Sequence, residues 1–216
     1  MPSRAALVRC APFGVFIGFL VLGSLLPEAS PWLAVARGVL IASLLAWFWS
    51  EYRELHEAPG VPAWQWLGAI VAGVAVFLLW IGIDWDWAVV ARSDGFDPHR
   101  ADGSMNWPLA LGRLAGLALV VPVMEELFWR SFLLRWVERH DFLSVSPRQV
   151  GWGALLITTA LFAVEHNRWF AGAIAGAVYA GLYMRSGNLW VPVVAHVITN
   201  GMLGVWILVT GSWQFW

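Results

Sequence analysis

Three groups of residues in the C-terminal half of the chain could do chemistry: Glu125-Glu126 with Arg130, Phe162 with His166, and His196 with Asn200. Each interrupts an apolar run. A carboxylate or guanidinium at the centre of a membrane helix costs roughly +2.5 to +3.5 kcal/mol, so ionisable residues in a span are functional candidates. An α-helix turns about 100° per residue; Glu126 and Arg130 therefore differ by about 40° and share a face, while Glu125 is turned about 100° from Glu126. On this geometry Arg130 neutralises Glu126 and Glu125 is free to face something else. Pairing the fourth and fifth apolar segments as an antiparallel hairpin centred near residue 145 brings Glu125 level with His166. A carboxylate hydrogen-bonded to an imidazole in a low-dielectric cavity can hold a water and deprotonate it. His196 and Asn200, at i and i+4, project from one face. Their N–H groups can aim at one oxygen, as a tetrahedral intermediate requires, and loss of such a donor costs about 10²–10³ in rate.

The same residues admit other readings. Glu125, His166 and His196 could form a two-histidine, one-carboxylate zinc site with an open position for water. Alternatively, the polar groups could only lock helices together in a non-proteolytic immunity or scaffold protein, which leaves Glu125, alone on its face, without a purpose. Phe162, one turn before His166, is read as packing that fixes the ring. Glu165 is read as the aqueous end of the fifth segment, outside the site.

The elements that carry these residues belong to a membrane protein. Hydrophobic residues make up 60% of the chain and charged residues 12%, with a mean hydropathy of +0.68, against about 45–50% and about 25% in soluble domains. The apolar segments are Ala11–Leu26, Trp32–Trp49, Trp64–Ile83, Trp107–Met124 continuing to Val137, Val150–Val164, Trp169–Met184 and Leu189–Val209. Several fall short of the ~20 residues that cross a bilayer unaided. The expectation is an all-α, polytopic transmembrane helix bundle of about seven to eight spans. Many of the 17 tryptophans, including Trp32, Trp47, Trp49, Trp64, Trp107, Trp169 and Trp190, fall where an interfacial aromatic belt belongs.

All 13 basic residues are arginine. With a cytoplasmic N-terminus, the inner segments hold Arg4, Arg9, Arg53, Arg135, Arg139, Arg148 and Arg185 and the outer ones Arg92, Arg100 and Arg168, which favours that orientation. The longest polar interruption, Asp84–Asn106, is an acidic, solvated loop. It divides one integral membrane domain into N-terminal spans with the acidic loop, 1–106, and a helical core carrying the chemistry, 107–216. Within the first three spans Arg37 is the polar exception. Gly172, Gly176 and Ala180 form a small-residue face that makes the sixth span central. Counting from the inner loops puts His166 at about 24 Å and His196 at about 10 Å, so the fifth span must tilt or start lower to join them.

Several classes are excluded by absence. A net charge of −1 without a basic run offers nothing to nucleic acid. Cys10, the single cysteine, allows neither an intrachain disulfide nor, lacking a partner base, cysteine-protease chemistry. The first apolar segment lacks a clean cleavage site and is read as a retained anchor. No His-Glu-x-x-His, Gly-x-Ser-x-Gly or Gly-x-Gly-Asp motif occurs.

Taken together, Glu125-Glu126-x-x-x-Arg130, Phe162-x-x-x-His166 and His196-x-x-x-Asn200 resemble, in order and spacing, the three motifs of the CAAX-processing and bacteriocin-processing (CPBP) membrane proteases. The resemblance covers roughly residues 108–210. It implies an intramembrane endopeptidase in which Glu125 and His166 activate water, His196 and Asn200 stabilise the oxyanion, and Glu126 and Arg130 support them; from the residues themselves, the i, i+4 pairing of His196 with Asn200 suits two donors better than a zinc ligand beside an amide, so no metal or other cofactor is expected. The resemblance also implies a membrane-associated or lipidated protein substrate and residence in the bacterial cytoplasmic (inner) membrane. The tryptophan-rich chain looks closest to the exosortase-associated bacterial branch. The family commonly has eight spans against seven countable here.

Overall fold

The computed structural model describes residues 3–26 and 30–216. Among these, seven helices form the body of the molecule: α1 (Arg4–Leu25), α2 (Ser30–Trp47), α3 (Ala63–Gly82), α4 (Trp107–Glu138), α5 (Trp152–Glu165), α6 (Trp169–Ser186) and α7 (Trp190–Thr210). The described residues contain no strand, only an isolated bridge between His99 and Met105. Helices α1, α3, α4 and α7 are long and apolar enough to cross a membrane, and α5 is a shorter apolar helix of 14 residues. The chain is an all-α membrane helix bundle. Many tryptophans at the helix ends, among them Trp32, Trp47, Trp64, Trp107 and Trp152, are exposed. Trp169 and Trp190 instead donate their indole N–H to the loop carbonyls of Trp87 and Leu55. Trp129 is the buried exception.

Helix α1 starts earlier than its apolar run because Arg9, only 1% exposed, finds partners inside the protein. Its guanidinium bonds the Glu54 carboxylate at 2.7 and 2.5 Å and the Ala5 carbonyl at 2.8 Å. Ser131 of α4 donates to the same carboxylate. Burial pushes the Glu54 carboxyl up, but the Arg9 hydrogen bonds and charge, aided by Ser131, hold it below its ordinary value. Higher on α1, Phe13 stacks on Phe128 with centroids 3.8 Å apart. The N-terminal helices thus pack directly on the helix that carries the acidic pair.

Glycine permits the closest crossings. A Cβ at Gly73 of α3 would come within 2.5 Å of the Ala195 carbonyl of α7. Between α2 and α4, Gly38 faces Gly116 and Val35 faces Gly112, so these two helices run in the same direction. In the acidic loop, Arg92 pairs with Asp84 and Asp86, Arg168 with Asp84, and His99 with Asp97. Asp84, Asp86 and Asp97 thus have cationic or imidazole partners, one of them, Arg168, from outside the loop.

The difference in depth between His166 and His196 is resolved by where α5 begins. The Gly151 amide donates to the Glu138 carboxylate at 2.6 Å, tying the start of α5 to the end of α4. Glu138 lies twelve residues below Glu126, about 18 Å, whereas His196 is six residues above the start of α7, about 9 Å. Because His196 bonds Glu126, α5 starts about 9 Å lower than α7.

Candidate functional site

Helix α4 positions the acidic pair by departing from α-helical geometry twice. Gly116–Val120 and Glu126–Leu133 are π-helical, with Val121 N–H bonding Gly116 O and Leu134 N–H bonding Trp129 O. Such wide turns concentrate at functional sites. The first has an identifiable consequence. In its register the next donor would be residue 122, but Pro122 has no N–H, which leaves the Leu117 carbonyl free. Asn200 of α7 fills that place, its amide donating to Leu117 O at 3.1 Å.

Glu126 is fully buried and shared. Arg130 Nε approaches its Oε2 at 3.2 Å, an ion pair whose angle falls short of a hydrogen bond. The expected i, i+4 pairing is present. Its Oε1 is taken by His196 Nδ1 at 2.9 Å, a contact that sequence reasoning missed. Tyr179 of α6 stacks on the His196 ring at 4.7 Å, and its hydroxyl donates to Thr199 at 2.7 Å. Arg130 lies over the Phe162 ring at 4.4 Å and donates to Gly176 O at 3.4 Å. Phe162 therefore supports Arg130 as well as His166.

His166 caps the C-terminus of α5. Its Nδ1 bonds the Phe162 carbonyl at 2.7 Å. A carbonyl only accepts, so Nδ1 carries the proton and Nε2 of the neutral ring is an acceptor. Phe162 at 4.5 Å and Trp80 at 5.4 Å hold the ring in place. The small face of α6 makes this tight fit: a Cβ on Gly172 would lie 3.1 Å from His166, and one on Gly176 3.1 Å from Phe162.

Glu125, 3% exposed, does face away from Glu126's partners, and its Oε2 has no hydrogen-bond partner. The expected direct bond between Glu125 and His166 does not form; His166 spends Nδ1 on its own helix end instead. The two side chains line one cavity of about 360 Å³, together with His196 and Asn200. Among the described residues no group of three His, Cys, Asp or Glu side chains is placed to hold a metal ion. Glu165 is also not at an aqueous end. Both its carboxylate oxygens are buried without an aligned hydrogen bond, and the Trp129 indole lies toward them. A carboxylate next to a site histidine and after an apolar run was the signal, and it was misread because the Glu165 side chain turns inward at a helix end whose neighbours Val164 and Asn167 are exposed.

His196 and Asn200 both line the cavity, and beyond their bonds to Glu126 and Leu117 they have His196 Nε2 and the second amide N–H and Oδ1 of Asn200 without a protein partner among the described residues. Nε2 donates only when the His196–Glu126 pair holds one proton more than a neutral ring beside a carboxylate. If both donors act on the transition state, His196→Ala and Asn200→Ala should each lower kcat by about 10²–10³ with KM little changed and the protein folded. Steady-state kinetics on both variants checks this, and a loss confined to KM would place them in a recognition pocket.

Residues 107–202 match the family model of Rce1-like type II CAAX prenyl endopeptidases. Over this segment the chain is similar to the CAAX protease family of membrane peptidases, and the segment contains every residue of the three motifs. No curated protein and no solved structure gives a match to the chain.

Proposed function

We propose that the chain is an intramembrane endopeptidase of glutamate type that hydrolyses a peptide bond in a membrane-associated or lipidated protein. The observation that carries this reading is the single cavity onto which Glu125, His166, His196 and Asn200 open, backed by the buried Glu126–Arg130 pair. A water held between Glu125 and His166 Nε2 attacks the scissile carbonyl carbon as its proton passes to Glu125. His196 and Asn200 donate to the resulting oxyanion. Collapse breaks the C–N bond, and the proton returns to the departing amine. Hydrolysis thus needs no redox partner. We further propose the bacterial cytoplasmic membrane as the setting with the N-terminus in the cytoplasm, which places the motif half, 107–216, with Glu138 and the start of α5 toward the cytoplasm.

Purified protein in lipid nanodiscs, incubated with a library of hydrophobic peptides, should release fragments. Activity should persist after prolonged dialysis against a strong chelator, with no stoichiometric metal in the protein. One zinc per chain with activity tracking occupancy would make Glu125, His166 and His196 ligands, and replacing any of them should then release the metal. Complete absence of cleavage, with function rescued in cells by Glu125→Gln, would leave the immunity or scaffold reading.

A further inference from the structure

The π-helical stretch Glu126–Leu133 carries Arg130, and its middle is gripped by residues from outside the matched segment 107–202. Ser131, fully buried, follows Arg130 directly. A serine hydroxyl has one proton to give and two lone pairs to fill. All three are used. Ser131 Oγ donates to the Glu54 carboxylate and accepts from Arg9 Nε at 3.2 Å and Arg135 Nη2 at 2.7 Å. Arg135, one turn on, also gives its Nε to the Ser131 carbonyl at 2.6 Å. The far side of the clamp is equally fixed. Arg9 of α1 bonds the carbonyls of Ala5 and Glu51, and Tyr52, two residues before Glu54, donates to the Val8 carbonyl at 2.9 Å. The Phe142 ring faces the guanidinium groups of Arg9 and Arg135, each at 5.3 Å.

Burial of Arg9 requires a carboxylate, and Glu54 meets that need at 2.5 Å by itself. The hydroxyl beside Arg130 adds something else, a link from that pair to the π-helical turn. Consecutive side chains leave a helix on different faces, so holding Ser131 toward α1 also fixes where Arg130 points. Its guanidinium lies over Phe162 of α5 at 4.4 Å and Tyr179 of α6 at 5.5 Å, with Nε 3.2 Å from Glu126 Oε2. The other oxygen of Glu126 holds His196. A π-helical turn is rare, and a slip of this one back toward α-helical winding would turn Arg130 away from Glu126. Misplacing a catalytic group by 1 Å can cost about 10² in rate. We propose that Glu54 and Arg9 are positioning residues that act through Ser131 to hold the π-helical turn, and with it Arg130, Glu126 and His196, in reactive geometry; this rests on the endopeptidase reading above.

Ser131→Ala cuts the link and leaves the Arg9–Glu54 pair in place. In nanodiscs, with a peptide that the unaltered chain cleaves, the folded variant should lose about 10–10² in kcat with KM unchanged. Glu54→Asp draws the carboxylate back by one methylene and should lose less in the same direction; it carries the test should Ser131→Ala fail to accumulate. Combined with Arg130→Lys, either change should lower kcat by less than the product of the separate losses, because both act through the guanidinium. Hydrogen–deuterium exchange gives a second readout that needs no cleavage. Amides of residues 126–134 should exchange faster in Ser131→Ala than in the unaltered chain, while those of α6 keep their rates. An unchanged kcat per folded molecule, losses that multiply with Arg130→Lys, or unchanged exchange at 126–134 overturns the proposal. Faster exchange there without any cleavage by the unaltered chain keeps the clamp on the turn and removes the endopeptidase reading.

Discussion

Glu125→Gln is expected to accumulate in the membrane like the unaltered chain and to lose cleavage by about 10²–10⁴, the contribution of a positioned general base. The amide is nearly isosteric with the carboxyl, so packing around α4 should survive. Three features single out this carboxylate. It is buried, its Oε2 has no protein partner, and it opens onto the cavity that holds His166, whereas its neighbour Glu126 is held by Arg130 and His196. Rates measured on a cleaved peptide, alongside a gel-filtration profile in detergent, separate lost chemistry from lost folding. Turnover equal to the unaltered chain in a monodisperse variant would remove Glu125 from the reaction and return the site to helix locking. His166→Ala tests the other half of the same pair. It should cost less than Glu125→Gln, because the ring accepts at Nε2 and orients the water while the carboxylate takes the proton.

Much of this arrangement was legible before any coordinates. Helical spacing alone put Arg130 on the face of Glu126 and turned Glu125 away, and the structure has both. The small-residue face of the sixth segment was readable as a close contact, and Gly172 and Gly176 do admit His166 and Phe162. What stayed hidden has physical reasons. The bond from His196 to Glu126 joins residues seventy positions apart, and periodicity within a helix carries no information about its neighbour. The direct Glu125–His166 bond was expected from hairpin symmetry, which fixes levels but not which ring nitrogen a chain end will claim. Pro122 was visible, yet its effect depends on a π-helical turn that no hydrophobic pattern predicts. Arg9 was assigned to the flank by its charge and lies buried because Glu54, from a separate turn, matches it. Charges are read one at a time along a sequence, but their burial is decided in pairs.

That pairing makes the acidic cluster the second place where large effects are expected. Glu126→Ala should be the most damaging single change to folded yield, because it strands the Arg130 guanidinium, 2% exposed, and also unties the His196 ring. Breaking a buried pair typically costs about 3–5 kcal/mol, a large share of a marginal folding free energy. Arg130→Ala should cost less. The carboxylate it leaves behind still has His196 Nδ1 at 2.9 Å, and protonation of that ring restores a charge partner. The double change Glu126→Ala with Arg130→Ala should recover part of the folded yield, since no uncompensated charge then remains, while activity stays lost because nothing orients His196 toward the cavity. Thermal unfolding in detergent, followed by tryptophan fluorescence on the three variants and the parent, reads the coupling. The double variant should unfold at a higher temperature than Glu126→Ala alone. Additive losses would mean that the 3.2 Å approach of Arg130 to Glu126 contributes no pairing energy, and the polar cluster would then be held by His196 and the ring of Phe162 alone.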